Sequence, residues 1–165
     1  MARGNIFSGF HRVAVLDTAR TTVAAVLAML LARMLKLPEF YWAPISTIVI
    51  IQSTIPPRTL AWQRFVGTAL GALLGVALAT FFPTTLFPAA ALVYALGIIL
   101  CGLLAFIFHI GGAYRFAAIT LSIILLIPRS RAPWIVGWHR FLEVSLGVAV
   151  ALLMTTLWPI KRGVN

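Results

Sequence analysis

Six apolar stretches, at about residues 18–36, 40–53, 61–82, 86–108, 114–128 and 137–158, take up most of this 165-residue chain and leave only short polar gaps. A bilayer-crossing helix needs about 20 predominantly apolar residues, whereas a water-soluble domain of this size must cover itself with roughly a quarter charged residues. Here 62% of the residues are hydrophobic and 10% are charged. Lipid is therefore the solvent, and the expected fold is all-α and integral to the membrane, with six transmembrane helices. The separators are turn-prone: Lys36-Leu37-Pro38-Glu39, Ile55-Pro56-Pro57-Arg58, Phe82-Pro83-Thr84, Gly111-Gly112 and Pro128-Arg129-Ser130-Arg131.

Thirteen Lys and Arg residues stand against Asp17, Glu39 and Glu143, for a net charge of +10. The cations are scattered singly at the ends of apolar runs, where long basic side chains reach the headgroups, so membrane lipid is their expected partner and nucleic acid is not. With the N-terminus in the cytoplasm, eight of them fall inside (Arg3, Arg12, Arg20, Arg58, Arg64, Arg115, Lys161, Arg162) and five outside (Arg33, Lys36, Arg129, Arg131, Arg140). The expected setting of this multi-pass protein is the bacterial inner membrane, and that balance puts both termini in the cytoplasm. Trp62, Trp134, Trp138 and Trp158 fall at span ends, as interface anchors do. Residues 1–17 read as an interfacial amphipathic segment or a frayed tail rather than a cleaved signal, and residues 160–165 as a cytoplasmic tail. Cys101, the single cysteine, gives neither a disulfide framework nor a thiolate metal site.

The chain also resembles itself. At a shift of 76 residues, Trp62, Arg64, Phe65, Leu70, Gly71, Thr80 and Pro83 fall on Trp138, Arg140, Phe141, Leu146, Gly147, Thr156 and Pro159 without a gap. Upstream, the same register places Ser46, Ile48, Ile51 and Pro57 on Ser122, Ile124, Ile127 and Pro133. Two three-helix repeats, 18–83 and 84–159, follow. Three crossings per repeat make the second enter from the opposite side, an inverted-topology repeat, unless span 2 or span 5 is re-entrant.

Spans 2 and 5 are the shortest and correspond under the repeat, and span 2 contains Pro44. Short or broken helices at matching positions leave backbone groups free for a ligand, which makes Ser46, Thr47, Gln52, Thr120 and Ser122 candidate lining residues. The alternative is tight packing, with the hydroxyls bonded to their own backbone. Gly67, Gly71 and Gly75 share one face of span 3, and Gly147 repeats the device on span 6, which predicts close helix packing. Arg64 and Arg140 each head such a stripe by seven residues, so they face either protein, as cationic rings at the two ends of an anion pathway, or the headgroups. Glu143 follows His139 and Arg140 by four and three positions, so it is an ion-pair partner or a proton-coupling group; His109 is a second titratable candidate. With no nucleophile elbow, metal-ligand helix, phosphate loop or paired carboxylate in the sequence, neither an enzyme nor a cofactor or metal is expected.

Tyr41-Trp42-Ala43-Pro44-Ile45-Ser46, Gln63-Arg64-Phe65-Val66-Gly67-Thr68 with Gly71 and Gly75, Tyr114-Arg115-Phe116-Ala117, and Arg140-Phe141-Leu142-Glu143 with Gly147 form a pattern that resembles the fusaric-acid-resistance-like family of aromatic acid exporters, over about Asp17 to Pro159. The plant aluminium-activated malate transporters, which are anion channels, look like distant relatives. The resemblance implies efflux of aromatic or other small organic anions, a homodimer, and Arg64 and Arg140 as the matching basic positions. This sequence departs from larger members in lacking their soluble domain and second membrane unit. Three functions stay open: an organic-anion exporter, an organic-anion channel, and a non-transporting membrane subunit or lipid-binding scaffold.

Overall fold

The computed structural model describes the backbone of residues 3–82, 87–127 and 131–160, and side chains from residue 13 onward within those ranges, Phe87 excepted. The described residues form α1 (Arg3–Met34), α2 (Trp42–Ile51), α3 (Pro57–Phe81), α4 (Phe87–Ile107), α5 (Tyr114–Leu126) and α6 (Pro133–Leu157), with a 3-10 turn at Gly111–Ala113 leading into α5. The 83/84 boundary between the two repeats, the Pro128-Arg129-Ser130 stretch and most of the 160–165 tail lie outside the described residues.

Four segments are long and apolar enough to cross a membrane: Val13–Met34, Pro57–Phe81, Pro88–Ile107 and Pro133–Leu157. The remaining two expected spans are shorter than read from sequence. At 1.5 Å per residue, the 10 residues of α2 rise only about 15 Å and the 13 of α5 about 20 Å, against a hydrocarbon core of about 30 Å. Pro44 does not break α2, because it sits in the first turn, where its missing N–H would have had no helical partner. From Arg3 onward the opening residues and the first span form one 32-residue helix, since the junction around Asp17 contains no helix-breaking residue.

Local chemistry sets the ends in matching ways. α3 and α6 both start with proline at the first position, preceded by an extended residue, Pro56 (φ −50°, ψ 132°) and Ala132 (φ −58°, ψ 141°), because a following proline disfavours the helical region. α1 and α4 both end on a left-handed residue, Lys36 (φ 54°) and His109 (φ 55°). At these ends Leu37 N–H donates to the Ala32 carbonyl (3.0 Å) and Ile110 N–H to the Ala105 carbonyl (2.9 Å), which satisfies carbonyls the helices leave over.

Packing follows small residues. Ala24, Ala28 and Ala32 are fully buried at a spacing of four along α1, and Gly97, Cys101 and Ala105 do the same on α4. A Cβ on Gly67 or Gly71 would strike the Ala113 or Ala117 carbonyl at the start of α5, and one on Gly147 the Ala43 carbonyl of α2. α3 therefore packs on α5, and α6 on α2. The Gly137 position of α6 meets Ala72 and Val76 of α3, while Phe65 lies against Phe141 with ring centroids 5.0 Å apart, so α3 and α6 run antiparallel. Helix pairs fall into matched sets: α1 on α2 and α4 on α5, α1 on α6 and α4 on α3, α2 on α6 and α5 on α3. One core unites α1 and α2 with α6, together with Leu60 and Ala61 of α3 and Phe116 of α5, and a second unites α4 and α5 with α3. The third helix of each sequence half thus packs into the other half.

The surface is inverted relative to a soluble protein. Leu73, Phe81, Leu92, Phe106 and Leu157 are all more than 70% exposed, while Arg20, Arg64, Arg140 and Glu143 are buried. That distribution suits an exterior solvated by acyl chains and a polar interior, so this is an α-helical membrane protein.

Candidate functional site

A charge in the middle of a membrane helix costs at least about 2.5–3.5 kcal/mol on insertion scales, so each buried charge needs a compensating partner or a use. Arg20 has partners. Its Nη2 donates to Asp17 Oδ1 at 2.7 Å and its Nη1 to the Trp158 carbonyl at 3.1 Å, fastening the middle of α1 to the end of α6. Arg140, at 2% exposure, lies with its guanidinium carbon 3.6 Å from the centre of the Trp42 ring, and Glu143 stands one turn further along α6.

Glu143 is fully buried. Its Oε1 accepts the Glu39 backbone N–H at 2.9 Å, and Glu39 Oε2 accepts Trp42 Nε1–H at 2.9 Å. The carboxylate so holds the turn before α2 against α6, and with it the ring on which Arg140 rests. His139 is half-buried, and its Nδ1 lies 2.8 Å from the Ile135 carbonyl of its own helix.

Arg64 is different. It is 7% exposed, its Nη2 donates to Ser46 Oγ at 3.1 Å, and its guanidinium carbon lies 5.0 Å from the Phe116 ring centre. Its Nε is buried without a hydrogen-bond partner, and among the described residues no carboxylate pairs with it. Ser46 in turn donates to the Trp42 carbonyl at 2.8 Å. Arg64, Ser46, Trp42 and Arg140 therefore form one connected line along the first half of α2.

The other expected lining residues divide. Thr47 is buried, and its hydroxyl lies 3.0 Å from both the Ala43 and Gly147 carbonyls, so it serves the α2–α6 contact. Gln52 is exposed at the far end of α2, where its amide donates to Thr21 Oγ1 (2.6 Å) and Asp17 Oδ2 (3.3 Å) of α1. Thr120 is buried. Ser122 donates to the Ala118 carbonyl and pairs with the Tyr94 hydroxyl at 3.0 Å, facing α4. His109 is an exposed left-handed residue that terminates α4. Gly67, Gly71 and Gly75 serve the α3–α5 contact, and Gly147 the α2–α6 contact.

Sequence reasoning passed over three participants: Trp42 and Phe116 as the rings under the two arginines, and Arg115, whose guanidinium carbon lies 4.8 Å from the same Phe116 ring. Their signal was present. Arg64 pairs with Phe116 and Arg140 with Trp42, so Trp42 and Phe116 correspond at an offset of 74 residues, while Arg64 and Arg140 correspond at 76. Lys36 and His109 correspond at 73. These contacts relate the short helices at an offset two residues smaller than the ungapped upstream register that set Ser46 on Ser122.

Residues 27–154 match the fusaric acid resistance protein-like family. The chain belongs to that family. It is also similar to inner membrane protein YeeA of Escherichia coli (strain K12), 29% identical over 163 residues, covering 91% of this chain and 42% of that protein. The chain thus spans less than half the length of this curated relative. No solved structure matches it.

Proposed function

We propose that this member of the family moves small organic anions, aromatic carboxylates among them, across the bacterial inner membrane, along a basic path between two three-helix halves. The observation that carries the reading is Arg64: a guanidinium enclosed by protein, with an unsatisfied N–H and no carboxylate beside it, is stabilised when an anion arrives. The connected line from Arg64 through Ser46 and Trp42 to Arg140 sets a second buried guanidinium about one helical turn of α2 away from the first. Supporting the inverted repeat are the matched helix contacts, the antiparallel α3–α6 pair and the equivalent ends of α1 and α4 and of α3 and α6. The distribution of basic residues supports both termini cytoplasmic, and similarity to an inner membrane protein supports the inner-membrane site. A homodimer is the assembly we assign, and transport rather than catalysis is its activity.

Flux of radiolabelled benzoate into liposomes holding the purified full chain tests this. Wild-type protein passes benzoate, and Arg64→Gln reduces the rate at least about 10-fold, a loss of one charge-assisted contact. Flux that follows the benzoate gradient alone assigns a channel; accumulation driven by a pH gradient assigns an exporter. Wild-type liposomes as tight to benzoate as empty ones would overturn transport and leave a membrane subunit or lipid scaffold.

A further inference from the structure

The start of α5 gathers groups that the path from Arg64 to Arg140 does not use. Arg115 is exposed, and its Nη2 donates to Gln63 Oε1 at 3.4 Å. Its guanidinium carbon sits 4.8 Å from the Phe116 ring centre, and that of Arg64, enclosed by the protein, sits 5.0 Å from the same centre. The two cations are therefore no more than about 10 Å apart, a range over which a shared anion feels both.

Charge is one-sided here. The chain has three acidic residues; Asp17 pairs with Arg20, and Glu143 and Glu39 hold the turn before α2. In the repeat register Gly67 stands where α6 has Glu143, so α3 carries no carboxylate one turn beyond Arg64. The backbone also leans the same way, because the first N–H groups of α5 and its preceding 3-10 turn place the positive end of the helix at this spot. The buried, unpartnered Nε of Arg64 supplies the second, independent sign of a missing ligand.

We propose that Arg115, Phe116 and Arg64 form one anion-binding cleft at the start of α5, in which Arg115 captures a small carboxylate at the mouth and Arg64 receives it inside. Phe116 holds the two guanidiniums on one ring, keeping both oriented while the carboxylate exchanges between them. The inference rests on the transport reading and deepens it, since it fixes the side of the protein on which the anion is gathered. Long-range attraction by an exposed cation acts chiefly on capture and is screened by salt, whereas the enclosed Arg64 governs occupancy.

The test uses the full chain in two assays with benzoate as the probe: thermal stabilisation of the protein in detergent, and flux in liposomes. Arg115→Gln raises the half-saturating benzoate concentration about 10-fold in both, leaves maximal flux unchanged and flattens the dependence of the initial rate on ionic strength. Arg115→Lys recovers most of the salt dependence. Arg58→Gln, which removes another exposed cation from the start of α3, changes none of these. Arg64→Gln abolishes both the stabilisation and the flux.

If Arg115→Gln behaves as wild type while Arg64→Gln stops flux, the cleft is wrong and the transport reading stands. Benzoate stabilisation that depends on Arg115, in a protein that passes no benzoate, supports the cleft and removes the transport reading. Equal losses from Arg58→Gln and Arg115→Gln would reduce the effect to general surface charge and overturn the cleft.

Discussion

Arg140 rests on Trp42, its guanidinium carbon 3.6 Å from the ring centre, and this contact joins the sixth helix to the first turn of the second. Its counterpart joins Arg64 of the third helix to Phe116 of the fifth. In each case a buried arginine from a long helix lies over an aromatic residue in the first turn of a short helix. The short helices are thereby held at the centre of the assembly without the length to span it alone.

The Arg140–Trp42 contact can be weighed directly. A double-mutant cycle with Arg140→Met and Trp42→Leu, measured by reversible unfolding in mixed detergent micelles, should give a coupling energy of about 1–2 kcal/mol, the range for a desolvated cation–π pair. A coupling near zero would mean that the stacking is incidental to the packing of α6.

Glycines that look alike in sequence differ in what surrounds them. An added methyl at Gly71 or Gly147 meets backbone carbonyls of the facing helix, which cannot rotate away, whereas at Gly102 the nearest atom is the Tyr114 ring at 3.5 Å. Gly71→Ala and Gly147→Ala should each lower stability by about 1–3 kcal/mol, and Gly102→Ala should be close to neutral. Thermal midpoints of the three variants in one detergent decide this.

Glu143 offers a choice between structure and proton coupling. Because its carboxylate accepts the Glu39 N–H, Glu143→Ala leaves a buried donor unpaired and should cost about 1–3 kcal/mol, while Glu143→Gln keeps an acceptor and recovers much of that. In liposomes, Glu143→Gln should leave benzoate flux intact. Loss of accumulation driven by a pH gradient in an otherwise stable Glu143→Gln protein would instead assign the carboxylate to proton coupling.

Asp17 and Arg20 make the pair that ties α1 to the end of α6, with side chains 14% and 6% exposed. Removing one partner of an enclosed ion pair strands the other charge, at about 3–5 kcal/mol. Asp17→Ala should therefore destabilise the protein more than the Asp17→Ala/Arg20→Met double variant. The order of the two unfolding midpoints checks it.

Whether α2 crosses the bilayer is open to chemical labelling. Cys101 is fully buried, so it gives little background for a membrane-impermeant maleimide. Single cysteines at Leu37 and Thr54, on either side of α2, should label from opposite faces of the membrane. Labelling of both from one face would make α2 re-entrant and remove the six-crossing inverted repeat.

Much of the architecture was legible in the residues themselves. Apolar runs set four long helices because burial in lipid depends on local composition, and Pro57, Pro133 and the Gly67-Gly71-Gly75 spacing act within a turn or two of where they stand. For Arg64 and Arg140 the helical period offered a place beside the small-residue stripe but left the headgroups open as well, and only the structure shows both side chains buried. What sequence could not supply was the identity of facing helices. That Gly71 meets Ala117, that Gly147 meets Ala43, and that the third helix of each half completes the core of the other depend on which surfaces fit when six helices compete for the same partners. For the same reason the rings beneath the arginines, and the buried Arg64 guanidinium with no carboxylate pairing it among the described residues, emerged only from the tertiary structure: charge balance at a buried point is set by neighbours in space, and those neighbours lie up to about a hundred residues away in sequence.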